Sequence, residues 1–104
     1  MQFLELYRQE IEKCCESCNV KELYAFGSVL TEKFNEQSDI DLIVSFHDTE
    51  PIAYAEHYFA LKFALENLFQ RPIDLLEEKS IRNQVLKSII NNSKRLIYAE
   101  TCAG

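Results

Sequence analysis

Apolar residues recur at intervals of three and four through the first part of the chain, at Leu4, Tyr7, Ile11, Cys14 and Cys18. That spacing predicts one amphipathic helix over residues 1 to about 17, with Glu5, Arg8, Glu10, Glu12, Lys13 and Glu16 on its solvated side. Asn19 suits the break that follows. The run from Val20 to Phe26 is β-branched and aromatic enough to predict a strand that ends at Gly27. Residues 31–38 are polar and read as a surface loop. The pattern then alternates over residues 39–46, which puts Asp39 and Asp41 on one face of a second strand and Ile40, Leu42, Val44 and Phe46 on the other.

Pro51 opens a long helix to about Phe69, with a broad apolar stripe of Tyr54, Tyr58, Leu61, Leu65, Leu68 and Phe69. A narrower second stripe holds Ile52, Phe59 and Phe63. One stripe suffices to face a sheet, so the second either meets the first helix or marks a protein partner. His57, on the charged flank, reads as a surface residue. A third strand is predicted over residues 72–76, and Ser80 is a candidate cap for a helix that turns Ile81, Val85, Ile89, and with them Leu86 and Ile90, inward. Residues 95–99 form a last short strand or the end of the helical tail. The long helix between the second and third strands predicts a right-handed crossover joining parallel strands, whereas the first two strands are antiparallel neighbours.

Composition narrows the class. A chain of 104 residues with 47% hydrophobic residues, two glycines and two prolines makes one compact domain of mixed α/β (α+β) class, a small mixed sheet flanked by about four helices. The formal net charge of −6 argues against a direct grip on nucleic acid, which needs basic residues for the phosphates. No apolar run approaches the roughly 20 residues of a membrane span, and the reading is a cytosolic protein. Cys14, Cys15, Cys18 and Cys102 include a C-x-x-C spacing, but no second ligand pair stands at finger distance. The cysteines therefore read as packing residues.

The candidate chemistry gathers between Phe26 and Leu42. Gly27 permits a tight turn and a close approach by a ligand, and Ser28 offers a hydroxyl and caps a short helix starting at Val29. The exposed N–H groups of such a start attract an anion. Asp39 and Asp41, two apart on a strand, aim at one spot, and the predicted topology brings Asp74 to the same sheet edge. Like charges held together repel, and Mg²⁺ relieves the repulsion while keeping sites for water and phosphate oxygens. The pattern points to metal-assisted chemistry on a nucleotide.

Phe26-Gly27-Ser28, the Asp39-Ile40-Asp41 pair and the later isolated Asp74 resemble the nucleotidyltransferase superfamily that includes the palm of DNA polymerase β. Length and spacing are most similar to the minimal nucleotidyltransferases (MNT), the antitoxin partners of HEPN toxins. The resemblance implies transfer of AMP from ATP, with Asp39, Asp41 and Asp74 holding two Mg²⁺ ions and acting as catalytic residues, and Gly27 and Ser28 holding the β- and γ-phosphates. It also implies a HEPN-domain toxin as partner and a tyrosine of that toxin as acceptor. Two other readings stand beside it: a non-catalytic antitoxin that works by occlusion, and a subunit of a small-molecule nucleotidyltransferase. Many family members carry a basic residue and a glycine where this chain has Thr31 and Glu32. Lys33, Lys79 and Arg82 are the candidates to supply the missing charge.

Overall fold

A computed structural model describes residues 2–31, 34–35 and 37–99. Among them the order of elements is α1 (Gln2–Glu5), α2 (Arg8–Ser17), β1 (Val20–Phe26), β2 (Ile40–Phe46), α3 (Pro51–Phe69), β3 (Ile73–Glu77), α4 (Gln84–Ser93) and β4 (Arg95–Ala99). Short 3-10 turns follow β1 and β3. The four strands form one mixed sheet in the order β3-β2-β1-β4. β1 is antiparallel to both β2 and β4, and β2 is parallel to β3.

This topology follows from connection length. The bend and loop after Phe26 return the chain beside β1, while the 19-residue helix α3 carries it back to start β3 in the direction of β2. Glu50 fixes where α3 begins, its carboxylate accepting from the backbone N–H groups of Ile52 at 3.1 Å and Ala53 at 2.7 Å. Gln70 ends it in the left-handed conformation, at φ 54°. The Tyr58 hydroxyl donates to the Leu75 carbonyl at 2.6 Å, tying α3 to β3.

One sheet face carries the core. Ile11 and Cys15 of α2, Leu23 and Ala25 of β1, Leu42 and Val44 of β2, Leu61 and Leu65 of α3, Leu75 of β3 and Ile97 of β4 all belong to it. Ile43 and Ile90 are buried outside this cluster.

Three expectations are corrected. The N-terminal helix is two helices, broken at Leu6 and Tyr7, and the broken turn leaves Leu6 78% exposed. Within α2 the fully buried thiol is Cys15; Cys14 is only partly covered. The last helix starts at Gln84 and is capped by Asn83, whose side chain accepts from Val85 and Leu86 N–H groups at 2.9 and 3.0 Å. Ser80 lies in the preceding turn and donates to Glu77 at 3.2 Å. With the helix set by Asn83, Val85, Leu86 and Ile89 stay exposed and only Ile90 turns inward. Residues 95–99 are a strand at the sheet edge.

The second stripe of α3 does not meet α2. Ile52, Phe59 and Phe63 are all more than half exposed, with the Phe59 and Phe63 rings stacked at 6.1 Å.

Candidate active site

The end of the sheet where β1 finishes and β2 and β3 begin collects the acidic residues. Asp41 faces Phe26 across the antiparallel pair and Asp74 across the parallel pair, so all three lie on one face at one level. Asp39 precedes β2 by one residue and is exposed. Asp41 is half-buried and Asp74 exposed.

The electrostatics record this convergence. Burial, then the charge of Asp74, a hydrogen bond with Asp74 and the charge of Asp39 together push the Asp41 carboxyl above its ordinary value. Among the described residues no three His, Cys, Asp or Glu side chains form a preassembled metal cage. Asp41 and Asp74 are a pair, and Asp39 acts on them from outside it.

Gly27 stands over this pair. Its φ of +77° is left-handed, and a Cβ there would lie 2.6 Å from Asp41 Oδ2. The backbone turns tightly because β1 must stop directly above a carboxylate. The turn itself differs from expectation, because Gly27–Leu30 is one 3-10 turn that begins at the glycine. Among the described residues no α-helix starts at Val29. The Ser28 side chain lies outside the described residues, as do Glu32, Lys33 and Cys102.

Arg71 is a residue that sequence reasoning missed. Its Nη1 donates to the carbonyls of Asn35 at 2.9 Å and Ser38 at 3.0 Å, and its guanidinium lies 4.9 Å from the Phe3 ring centroid and 4.6 Å from that of Phe34. The loop that delivers Asp39 is thus pinned from the start of β3. The sequence signal was slight, a lone arginine before Pro72.

Of the candidate cations, Lys33 lies outside the described residues, and Lys79 and Arg82 fall elsewhere. Lys79 sits beyond the far end of β3, its Nζ 3.9 Å from the Tyr54 ring centroid, while Asp74 is near the start of that strand. Arg82 precedes α4, a helix of 10 residues and hence about 15 Å long, whose other end adjoins the glycine bend. Across from Gly27 and Thr31, a cleft of about 460 Å³ is closed by Asn92, Lys94 and Arg95.

Burial raises the thiols of Cys14, Cys15 and Cys18, disfavouring the thiolate that metal or redox chemistry needs. His57 is not a bare surface residue, since its Nδ1 lies 2.7 Å from Asp48 Oδ2. No helix among the described residues is long and apolar enough to cross a membrane.

A four-stranded mixed sheet with a glycine bend set over paired strand acids defines a nucleotidyl-transferring class of domain. The nucleotidyltransferase domain family matches residues 8–97, and the chain belongs to that family. It is 30% identical over 94 residues to a candidate protein adenylyltransferase of Methanocaldococcus jannaschii, covering 90% of this chain and 91% of the relative. A second such protein from the same organism is 32% identical over 77 residues, covering 74% and 86%. Among solved structures, a candidate minimal nucleotidyltransferase superposes with a TM-score of 0.69 at 25% identity, covering 90% of this chain and 92% of that one. A chain of a toxin–antitoxin pair crystallised with AMP-PNP gives 0.67 at 24%, covering 90% and 74%. A chain from the complex of an MNT antitoxin with the tri-AMPylated HEPN toxin of Shewanella oneidensis gives 0.62 at 23%, covering 93% and 73%.

Proposed function

We propose that this chain transfers an adenylyl group from ATP to a hydroxyl of a partner protein, a HEPN-domain toxin that the modification silences, with a tyrosine as acceptor. The observation that carries the reading is the position of Asp41, in register with Asp74 and directly beneath the Gly27 bend. The names of the Methanocaldococcus relatives support the adenylyl group and the protein acceptor. The structural neighbours, chains of toxin–antitoxin complexes, support the partner. So does the exposed stripe of Ile52, Phe59 and Phe63, an apolar surface that none of the described residues covers.

In this reading the acceptor hydroxyl oxygen attacks the α-phosphorus of ATP. A new phosphorus–oxygen bond forms as the bond to the bridging oxygen breaks, and pyrophosphate leaves. Asp74, the more exposed of the paired acids, takes the hydroxyl proton and passes it to water. Gly27 and Ser28 hold the β- and γ-phosphates through the backbone of the bend. Asp39, Asp41 and Asp74 suit Mg²⁺, because carboxylates are hard oxygen donors and a cation would offset the burial and the neighbouring Asp74 and Asp39 charges that raise the Asp41 carboxyl. When bound, Mg²⁺ in two positions would neutralise triphosphate charge and acidify the acceptor hydroxyl.

Incubation of the complex with Mg²⁺ and ATP labelled at the α-phosphate tests this. Label is expected on the partner, and none from γ-labelled ATP. Absence of label from both nucleotides contradicts transfer and leaves occlusion by the apolar stripe as the better account.

A further inference from the structure

The proposed reaction gathers more negative charge beside the Gly27 bend than bound Mg²⁺ would offset. A nucleoside triphosphate carries about four negative charges near neutral pH, and the strand acids add to them. Thr31 offers no charge in the bend, while Lys79 and Arg82 lie at the wrong ends of their elements. The antiparallel register of β1 and β4 supplies another source. Ala25 is opposite Arg95, so β4 begins beside the place where β1 enters the Gly27 bend.

We infer that Lys94, at the junction of α4 and β4, is the charged residue of the subsite for the β- and γ-phosphates of the nucleotide. The inference rests on the adenylyl-transfer reading above. Lys94 lines the cleft of about 460 Å³ whose opposite wall is Gly27 and Thr31. Arg95 lines it too, but its pairing with Ala25 puts it on the opposite, core-bearing face of the sheet from Asp41 and Asp74.

The position of Lys94 is set by the sheet. Its Nζ lies 4.1 Å from the Tyr24 ring centroid. Tyr24 is paired with Ile43, two residues beyond Asp41 on the same strand, so Tyr24 shares the sheet face of Asp41 and Asp74. The Lys94 ammonium is therefore on the face where the acids converge, on the β1 side of them. A triphosphate with its α-phosphorus at Asp41 and Asp74 and its tail under the Gly27 bend would run toward Lys94. The α4–β4 junction thus replaces, from a point more than sixty residues along the chain, the basic residue that the bend lacks.

Equilibrium binding to the folded full chain tests the subsite, with Mg²⁺-ATP, Mg²⁺-tripolyphosphate and AMP as probes. Lys94→Ala is expected to weaken ATP and tripolyphosphate by about 10-fold or more, the worth of one charge-assisted hydrogen bond, while AMP changes less than about twofold. The Lys94→Gln variant, which keeps most of the side-chain bulk, is expected to show a smaller loss of the same selectivity. It decides the question if Lys94→Ala does not fold. Equal weakening of ATP and AMP, or no weakening of ATP, overturns the inference. Undiminished ATP binding by a folded variant leaves adenylyl transfer standing; a wild-type chain that binds neither ATP nor tripolyphosphate overturns both.

Discussion

Gly27 and Asp41 are so close that a single methyl group on the glycine would lie 2.6 Å from a carboxylate oxygen of the aspartate. Gly27→Ala is expected to act twice. It places an L-residue in a left-handed conformation at a cost of about 1–2 kcal/mol, and it drives the Asp41 carboxylate out of its position beside Asp74. Transfer should fall by about 10²-fold or more, out of proportion to the loss of stability. Thermal unfolding and initial rates on the same preparation check this.

Asp41 holds its site at the expense of the fold. Burial first, then the Asp74 charge, raises its carboxyl in the folded chain, so over the interval between its ordinary and raised values the folded state binds more protons than the unfolded state. Stability therefore falls as pH rises through that interval and stays lower at neutral pH. Asp41→Asn, measured without metal at pH 7, is expected to raise the denaturant midpoint slightly while transfer is lost. The gain should vanish below the carboxylate range, where wild-type Asp41 is itself neutral. A lower midpoint for the variant at pH 7 would contradict a raised Asp41 carboxyl.

Asp48 has the opposite sign. Burial alone would raise its carboxyl, but hydrogen bonds from Asn19 at 3.0 Å and with His57 at 2.7 Å outweigh burial and hold it below the ordinary value. Its stabilisation is present above the usual carboxylate pKa of about 4 and is lost as pH falls through the depressed value. Asp48→Asn should cost about 1 kcal/mol at pH 7, with the wild-type and variant curves converging in strong acid. Urea unfolding across the acid range reads this directly.

Arg71 controls the approach to Asp39 without touching the acids. Arg71→Ala removes two hydrogen bonds to the loop carbonyls and two ring contacts, and is expected to cost about 1–3 kcal/mol. If its role is to position the loop, the maximal rate should fall by about 10-fold, with Arg71→Lys restoring little because it cannot reproduce the planar fork. Unchanged kinetics with lowered stability would make Arg71 a purely structural residue.

The first three strands were readable from their alternating or apolar runs, and their adjacency followed from the lengths of the connections, whereas residues 95–99 read as either strand or helical tail and their place beside β1 was not legible. Asp74 could be placed at the edge of Asp39 and Asp41 because a crossover helix makes the two strands parallel, so both start at one edge; the pairing of Asp41 with Asp74 itself is seen only in the sheet register. Periodicity failed where the chain breaks without a glycine or proline, as at Leu6 and Tyr7, since the apolar spacing runs on through the break. It failed again in α4, where Asn83, not Ser80, caps the helix and turns three of the expected inward residues to solvent. Arg71 and Lys94 were hidden for another reason. A lone basic residue carries no periodic signal, and its partners, Asn35, Ser38 and Tyr24, are thirty to seventy positions away.

The central claim is that Asp41 and Asp74 act together on the nucleotide. Single-turnover transfer from α-labelled ATP to the partner, in complexes carrying Asp41→Asn, Asp74→Asn or both, tests it most directly. Each single variant is expected to lose about 10²–10³-fold while the complex stays assembled, and the double variant little more than either, as for groups that work as one unit. Wild-type rates in either single variant, or losses that multiply in the double, would contradict a shared site.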